Sequence, residues 1–340
     1  DALAPQAGGG AVVVPVGSGV ISDLGKWLAW EMDVPLVTFA TAASMNGYAS
    51  ANVAPTIDGI KTLVRARPPV AVLADPRILA DAPAEMTSSG LGDVLAKSVS
   101  SADWRMNHLL FGDYYCPRSV GLIADIEPLY LDNPRQLRDR RLDALTALFD
   151  ALLLTGAAMT MAETSSPASG GEHLVSHSLD MISSIDGRPH DLHGRQVGVG
   201  TVLASEIYRR VLAVDEPDWR EPTDRIDRDF WGPLADEIAA QYAEKQPRLQ
   251  AAREQLADRE AWDKLREELS PMLRTPEQIH TCLRQAGAAC RAEDLRIDRH
   301  RLLAAFTHGH QIRSRFTILD LAQLIGVLPD AADEIVDQWG

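Results

Sequence analysis

Apolar residues in the first eighty positions come in short, nearly continuous runs. Residues 12–16 (VVVPV), 36–40 (LVTFA) and 70–74 (VAVLA) are of this kind. Valine-rich runs of that length suit strands buried in a parallel sheet. Residues 21–32 (ISDLGKWLAWEM) instead space their apolar side chains as a helix does. A small-residue loop, 41–55, follows the second run. Strands separated by helices and loops in this order predict a parallel sheet covered on both faces. After about residue 80 the strand-like runs stop. Segments 91–111, 141–160, 199–211, 230–269 and 301–325 carry a 3.6-residue period, which predicts a second, all-helical part. The boundary falls near Pro83, dividing the chain into residues 1–82 and 83–340.

Charge and cysteine usage narrow the function. The 340 residues include 48 acidic and 33 basic ones, for a net charge of −15. Such a surface repels phosphate backbones and anionic lipid, which weighs against a nucleic-acid partner. Cys116, Cys282 and Cys290 are scattered and form no CxxC, so they read as free thiols in a reducing, cytoplasmic setting. The start of the chain shows no basic-then-apolar leader. The longest uncharged stretch, 34–57, contains Pro35, Asn46, Gly47, Asn52 and Pro55, so it reads as strand plus loop, with no membrane insertion expected.

Four features carry chemistry. Gly17, Ser18 and Gly19 form a glycine turn between a strand and a helix, where free N–H groups and the helix dipole favour a pyrophosphate. Ser22 stands where a full GxGxxG would place its third glycine, so a plain strand-to-helix turn is the competing reading. His173 and His177 lie at i and i+4, on one helix face. His193 follows, and its neighbour Gly194 permits a tight turn and a close backbone approach. Imidazoles with one carboxylate make an open, catalytic type of metal site, and two ordinary histidines on a helix are the alternative. Asp93, alone, reads as a charge at a helix start and gains meaning only as a partner of the histidines. The loop 41–50 (TAASMNGYAS) is small enough for a cofactor to approach its backbone.

The ordered motifs VGSGVISDLGK, TAASMNGYAS, ADPRILADAP, GLGDVLAKSVSSADW, SSPASGGEHLVSH and HGRQVGVGT, with IRSRFTILDL in the tail, resemble the dehydroquinate synthase-like superfamily. That group includes iron-containing alcohol dehydrogenases, and the sn-glycerol-1-phosphate dehydrogenase branch is the best match. The resemblance implies a Rossmann-like dinucleotide-binding part (1–82) and a helical metal- and substrate-binding domain (83–340). It implies that Asp93, His173 and His193 bind one divalent metal, zinc foremost, with iron, nickel and manganese as alternatives. His177, Asn46, Asp93 and Lys97 would contact substrate, with His177 and Asn46 at the chemistry. Gly17, Ser18, Gly19, Val20 and Ile21 would meet the phosphates of NAD or NADP. Thr41, Ala42, Ala43, Ser44 and Ser50 would meet its nicotinamide half. The implied reaction interconverts sn-glycerol 1-phosphate, or a similar polyol, with its ketone, in a protein able to form a homodimer.

The chain departs from that pattern at four points. Asn46 replaces a usual aspartate, Ser166 a usual arginine, and Arg195 a frequent glutamate, which would reverse a charge beside the metal. Position 1 is Asp, and only residues 1–11 precede the first strand, whereas the resemblance implies another mononucleotide-binding portion there. These departures leave open an unphosphorylated substrate, a lyase-cyclase chemistry, or a non-catalytic descendant.

Overall fold

A computed structural model describes residues 10–57, 60–62 and 64–340. Residues 1–9 lie outside it.

The chain opens with β1 (Val16–Gly17), α1 (Gly19–Glu31) and β2 (Val37–Ala40). Two antiparallel ribbons come next, β3 (Asn52–Val53) with β6 (Val64–Arg65), and β4 (Thr56–Ile57) with β5 (Ile60–Lys61). Then comes β7 (Ala71–Ala74). Strands β1, β2 and β7 form a parallel sheet in that order, with Val16 beside Phe39 and Phe39 beside Leu73.

The expected cover on both faces is not found among the described residues. Alternation in the strands turns Pro15, Leu36, Thr38 and Ala40 into the protein, where α1 packs so closely that a Cβ on Gly25 would lie 2.7 Å from Pro15 Cβ. Val12, Val14, Val16, Ala71 and Leu73 face outward and are exposed. The physical reason is the β2-to-β7 connection, which runs through ribbons and supplies no helix to the outer face. The first strand is also shorter than its valine run, since Val13 contributes only an isolated bridge to Leu36.

The remainder is helical. α2 (Pro76–Asp81), α3 (Ala84–Leu95), α4 (Lys97–Phe111), α5 (Pro117–Gly121), α6 (Glu127–Leu131), α7 (Arg135–Arg138) and α8 (Leu142–Ala162) lead to α9 (Gly171–Asp186) and α10 (His193–Leu212). α11 (Arg228–Trp231), α12 (Ala235–Leu256), α13 (Arg259–Leu269), α14 (Pro276–Ala286), α15 (Arg299–His308), α16 (Ile318–Leu324), α17 (Val327–Asp330) and α18 (Ala332–Trp339) complete the body. Two of the periodic segments hold more than one helix. Gly232-Pro233 and the Asp258 N-cap divide 230–269, and Gly309 with the Thr317 cap divides 301–325. α8 is apolar and long enough to cross a bilayer by length and composition, but 61% of its apolar window is buried among the other helices.

The core is built where α10 crosses α3 and α9. This crossing is close because two glycines face each other, and a Cβ on Gly92 would fall 1.8 Å from Gly194 O. Asp93 follows Gly92 and His193 precedes Gly194, so the close approach carries these side chains to one place. Asp93 lies in the last turn of α3, not at a helix start, and His193 is the first residue of α10, with Gly194 helical, not in a turn.

Candidate metal centre and cofactor loop

Asp93 from α3, His173 from the first turn of α9 and His193 from the start of α10 each offer one ligand atom, all within 4.8 Å of one another. Asp93 Oδ1 lies 3.8 Å from His173 Nε2. That is too long for a hydrogen bond and suits two ligands each about 2 Å from one ion. His177 lies one turn further along α9, its ring stacked 5.6 Å from that of His193.

Each of the three is oriented by a partner. Asp93 Oδ2 accepts the backbone N–H of Asn46 at 3.0 Å, while Oδ1 is buried with no hydrogen-bond partner. A buried oxygen in that state is costly, and the two imidazoles around it make a cation the fitting partner. His173 Nδ1 lies 2.7 Å from Glu172 Oε1, which also accepts the N–H of Gly170. A carboxylate acceptor fixes the proton on Nδ1 and leaves the Nε2 lone pair for a metal. His193 Nδ1 lies 3.0 Å from Ser176 Oγ, which is also 3.0 Å from Gln196 Oε1. If the hydroxyl donates to Gln196 it accepts from His193, which puts the imidazole proton on Nδ1. Burial pushes the Asp93 carboxyl up to about 6, opposed by His173 and by the Asn46 N–H.

The glycine turn sits where β1 gives way to α1. Ser18 is the N-cap and makes no side-chain cap bond. Val20 and Ile21 point outward. Thr41 leaves β2 with its N–H on Gly17 O at 3.1 Å, so the glycine turn and the loop 41–50 begin side by side. The loop then crosses α3, where a Cβ on Gly90 would fall 2.1 Å from Ala43 O. This contact lets the Asn46 N–H reach Asp93. Asn46 Nδ2 is buried without a partner, leaving a donor near the ligand cluster. Ala42, Ala43 and Ser44 are buried in the loop, and Tyr48 donates its hydroxyl proton to Ala42 O at 2.7 Å.

Other sequence candidates have different surroundings. Ser50 turns inward, with Oγ 3.0 Å from Gly47 O and 2.9 Å from Asn52 O, so its hydroxyl serves the loop's own shape. Lys97 follows Asp93 by one turn, but its ammonium donates to Ser119 O at 3.2 Å, and burial lowers its pKa to about 8. Arg195 does not reverse the charge at the cluster: its guanidinium pairs with Asp191 at 2.8 Å and donates to Asp294 O. Ser166 bonds Thr164 within the loop preceding α9. An arginine does reach that loop, since Arg315 donates to Ser165 Oγ at 3.0 Å and to Ser169 O.

Sequence reasoning passed over Glu172, Ser176, Gln196, Arg315 and Lys26. Glu172 adjoins a singled-out histidine and Ser176 lies one turn along the same helix, so proximity was an available signal. Arg315 and Lys26 reach the site across long separations, and no spacing marks them.

Residues 2–83 match the family described as iron-containing alcohol dehydrogenase. A glycerol-1-phosphate dehydrogenase [NAD(P)+] of Geobacillus stearothermophilus is 31% identical over 315 residues, covering 91% of this chain and 70% of that protein. The chain belongs to the glycerol-1-phosphate dehydrogenase family. A family member from Bacillus licheniformis is 28% identical over 318 residues, covering 94% of this chain and 69% of its own. The fold agrees with the glycerol dehydrogenase of Schizosaccharomyces pombe, at TM-score 0.60 and 15% identity over 99% of this chain and 74% of that one. In this chain that fold sets a small parallel sheet ahead of a helical body.

Proposed function

We propose that the chain is a metal-dependent, NAD(P)-linked dehydrogenase that interconverts sn-glycerol 1-phosphate and dihydroxyacetone phosphate. One contact carries the reading beyond family membership. The N–H of Asn46, in the loop beside the phosphate turn, bonds the carboxylate of Asp93 at 3.0 Å. It places the proposed nicotinamide loop directly against the proposed metal ligands.

Asp93, His173 and His193 would hold the ion, and the orphaned Asp93 Oδ1 fits that role. When bound, a divalent ion polarises the carbinol or carbonyl oxygen, and the nicotinamide accepts or supplies the hydride. The protein's own part is orientation. Gly17 to Ile21 present the N-terminus of α1 to the dinucleotide phosphates. Thr41 to Ser44 offer a small-sided seat for the nicotinamide half, and Ser50 shapes its far end. Asn46 donates from Nδ2 to a substrate oxygen. His177, one turn from a ligand, exchanges the hydroxyl proton. Arg315 supplies positive charge to the loop that lost an arginine at Ser166, which favours a phosphorylated substrate over a neutral polyol. Lys97 supports the substrate side from α4.

We place the cofactor part in residues 1–82 and the metal and substrate part in 83–340, because α2 ends at Asp81 and the ligand helices all lie beyond it. Zinc suits one carboxylate and two imidazoles with an open position. Three unpaired cysteines, two of them buried, fit a cytoplasmic setting. The test is NADH and NADPH oxidation with dihydroxyacetone phosphate, beside metal content and a parallel assay with unphosphorylated dihydroxyacetone. About one metal per chain and turnover of the phosphate ester are expected. Activity in metal-stripped protein, or turnover of dihydroxyacetone alone, would refute the reading.

A further inference from the structure

Lys26 lies in the middle of α1 and is fully buried. Its ammonium meets four oxygens: Asp23 Oδ1, Gly47 O and Asn52 O, each at 2.8 Å, and Ser50 Oγ at 3.3 Å. Three N–H bonds facing four acceptors leave nothing for a ligand. A lysine next to a phosphate turn invites a reading as a phosphate contact, but this one is turned inward and spent. What it grips is the far half of the cofactor loop. The near half is tied to the phosphate turn through Thr41 N–H and Gly17 O. Between those anchors, Asn46 holds Asp93. Asp23 extends the clamp, since its other oxygen accepts the N–H of Ala54 at 3.4 Å.

We infer that Lys26 is a positioning residue that links nicotinamide-cofactor binding to metal binding, by fixing the loop whose Asn46 N–H orients the Asp93 carboxylate. The inference rests on the metal and cofactor assignments proposed above. With Oδ2 engaged by the loop, Oδ1 is the atom presented to an ion. A cofactor that settles the loop favours that arrangement, and an ion that demands it favours the settled loop. Such linkage is reciprocal by thermodynamic necessity. Outer partners of a metal ligand commonly set its affinity in this way.

The experiment measures Co²⁺ affinity of the full chain with and without saturating NADH or NADPH, and nucleotide affinity with and without Co²⁺. The wild type should show each ligand tightening the other by about tenfold. Lys26→Met, which keeps the length of the side chain and removes the charge, should bring that ratio to within about twofold of unity. Its nucleotide Kd without metal and its Co²⁺ Kd without nucleotide should both rise, each by up to about tenfold. A purely structural role would lower thermal stability and both affinities together and leave the ratio intact. Should Lys26→Met fail to fold, Ser50→Ala removes one of the four acceptors and should cut the ratio at least threefold, about half of the linkage on a logarithmic scale. A wild-type ratio of one, or an unchanged ratio in the folded variant, overturns the inference and leaves the functional reading standing. If the wild type binds neither Co²⁺ nor a nucleotide, the two fall together.

Discussion

Replacing Glu172 with glutamine probes how the proposed metal ligands are held. Glu172 is fully buried, and its Oε1 lies 2.7 Å from His173 Nδ1 and 2.7 Å from Gly170 N. Glutamine keeps the shape and an acceptor oxygen, so the N-terminus of α9 retains its Gly170 contact. What disappears is the negative charge behind the imidazole. A charge-assisted hydrogen bond is about twice as strong as a neutral one, and loss of an outer partner typically weakens metal binding about 10–100-fold. That range is about 1.4–2.8 kcal/mol. The upper half is expected here, because both side chains are buried and screening between them is weak. Zinc affinity, by chelator competition on wild type and Glu172→Gln, reads the effect, with the thermal midpoint of the metal-free protein as control. Glu172 is also second to burial among the causes that push Asp103 up to about 8, so the Asp103 pKa should fall in the variant. Zinc affinity within about twofold of wild type would refute the orienting role. Affinity lost only together with the thermal midpoint would assign Glu172 to the start of α9 instead.

Asn46→Ala removes the buried Nδ2 donor while keeping the backbone N–H on Asp93, so kcat/KM for dihydroxyacetone phosphate should fall about tenfold with metal content unchanged. Metal affinity should fall about tenfold per pH unit below about 6, where the Asp93 proton must be displaced, which Co²⁺ titrations from pH 5 to 8 would follow. In the metal-free protein the same shift acts on stability with a defined sign. The folded carboxyl holds its proton more tightly than the unfolded one, so its contribution is fully present below about pH 4 and is lost as pH rises towards about 6. Denaturant melts of wild type and Asp93→Asn isolate this part. Gly92→Ala, whose new Cβ would sit 1.8 Å from Gly194 O, should destabilise the chain by about 3 kcal/mol or more and separate Asp93 from His193. Wild-type stability and metal content in that variant would refute the packing argument.

The sequence was most legible where structure is local. The three apolar runs became β1, β2 and β7, and the 21–32 periodicity became α1, since side-chain alternation and helical spacing are set by the nearest neighbours. Helix ends were less legible. Residues 301–325 keep an apolar period across a real break, because burial against two different neighbours sustains the pattern while Gly309 and the Thr317–Asp320 cap end and restart the helix. The outer face of the sheet was misread for a related reason. A continuous valine run says that a strand is apolar on both sides, but what covers each side depends on the connections.

By itself the sequence determined which residue types were available and their order: a glycine turn, a small-residue loop, one carboxylate and three histidines. It also determined that His173 and His177 share a helix face, since their spacing fixes that. Tertiary structure alone decided that Asp93 and His193 meet His173, through the glycine-to-glycine crossing of α3 and α10. It also decided that Lys26 is consumed as a clamp and that Arg195 faces Asp191. A side chain's partner across a hundred residues is chosen by the packing of helices, and no local spacing encodes that choice.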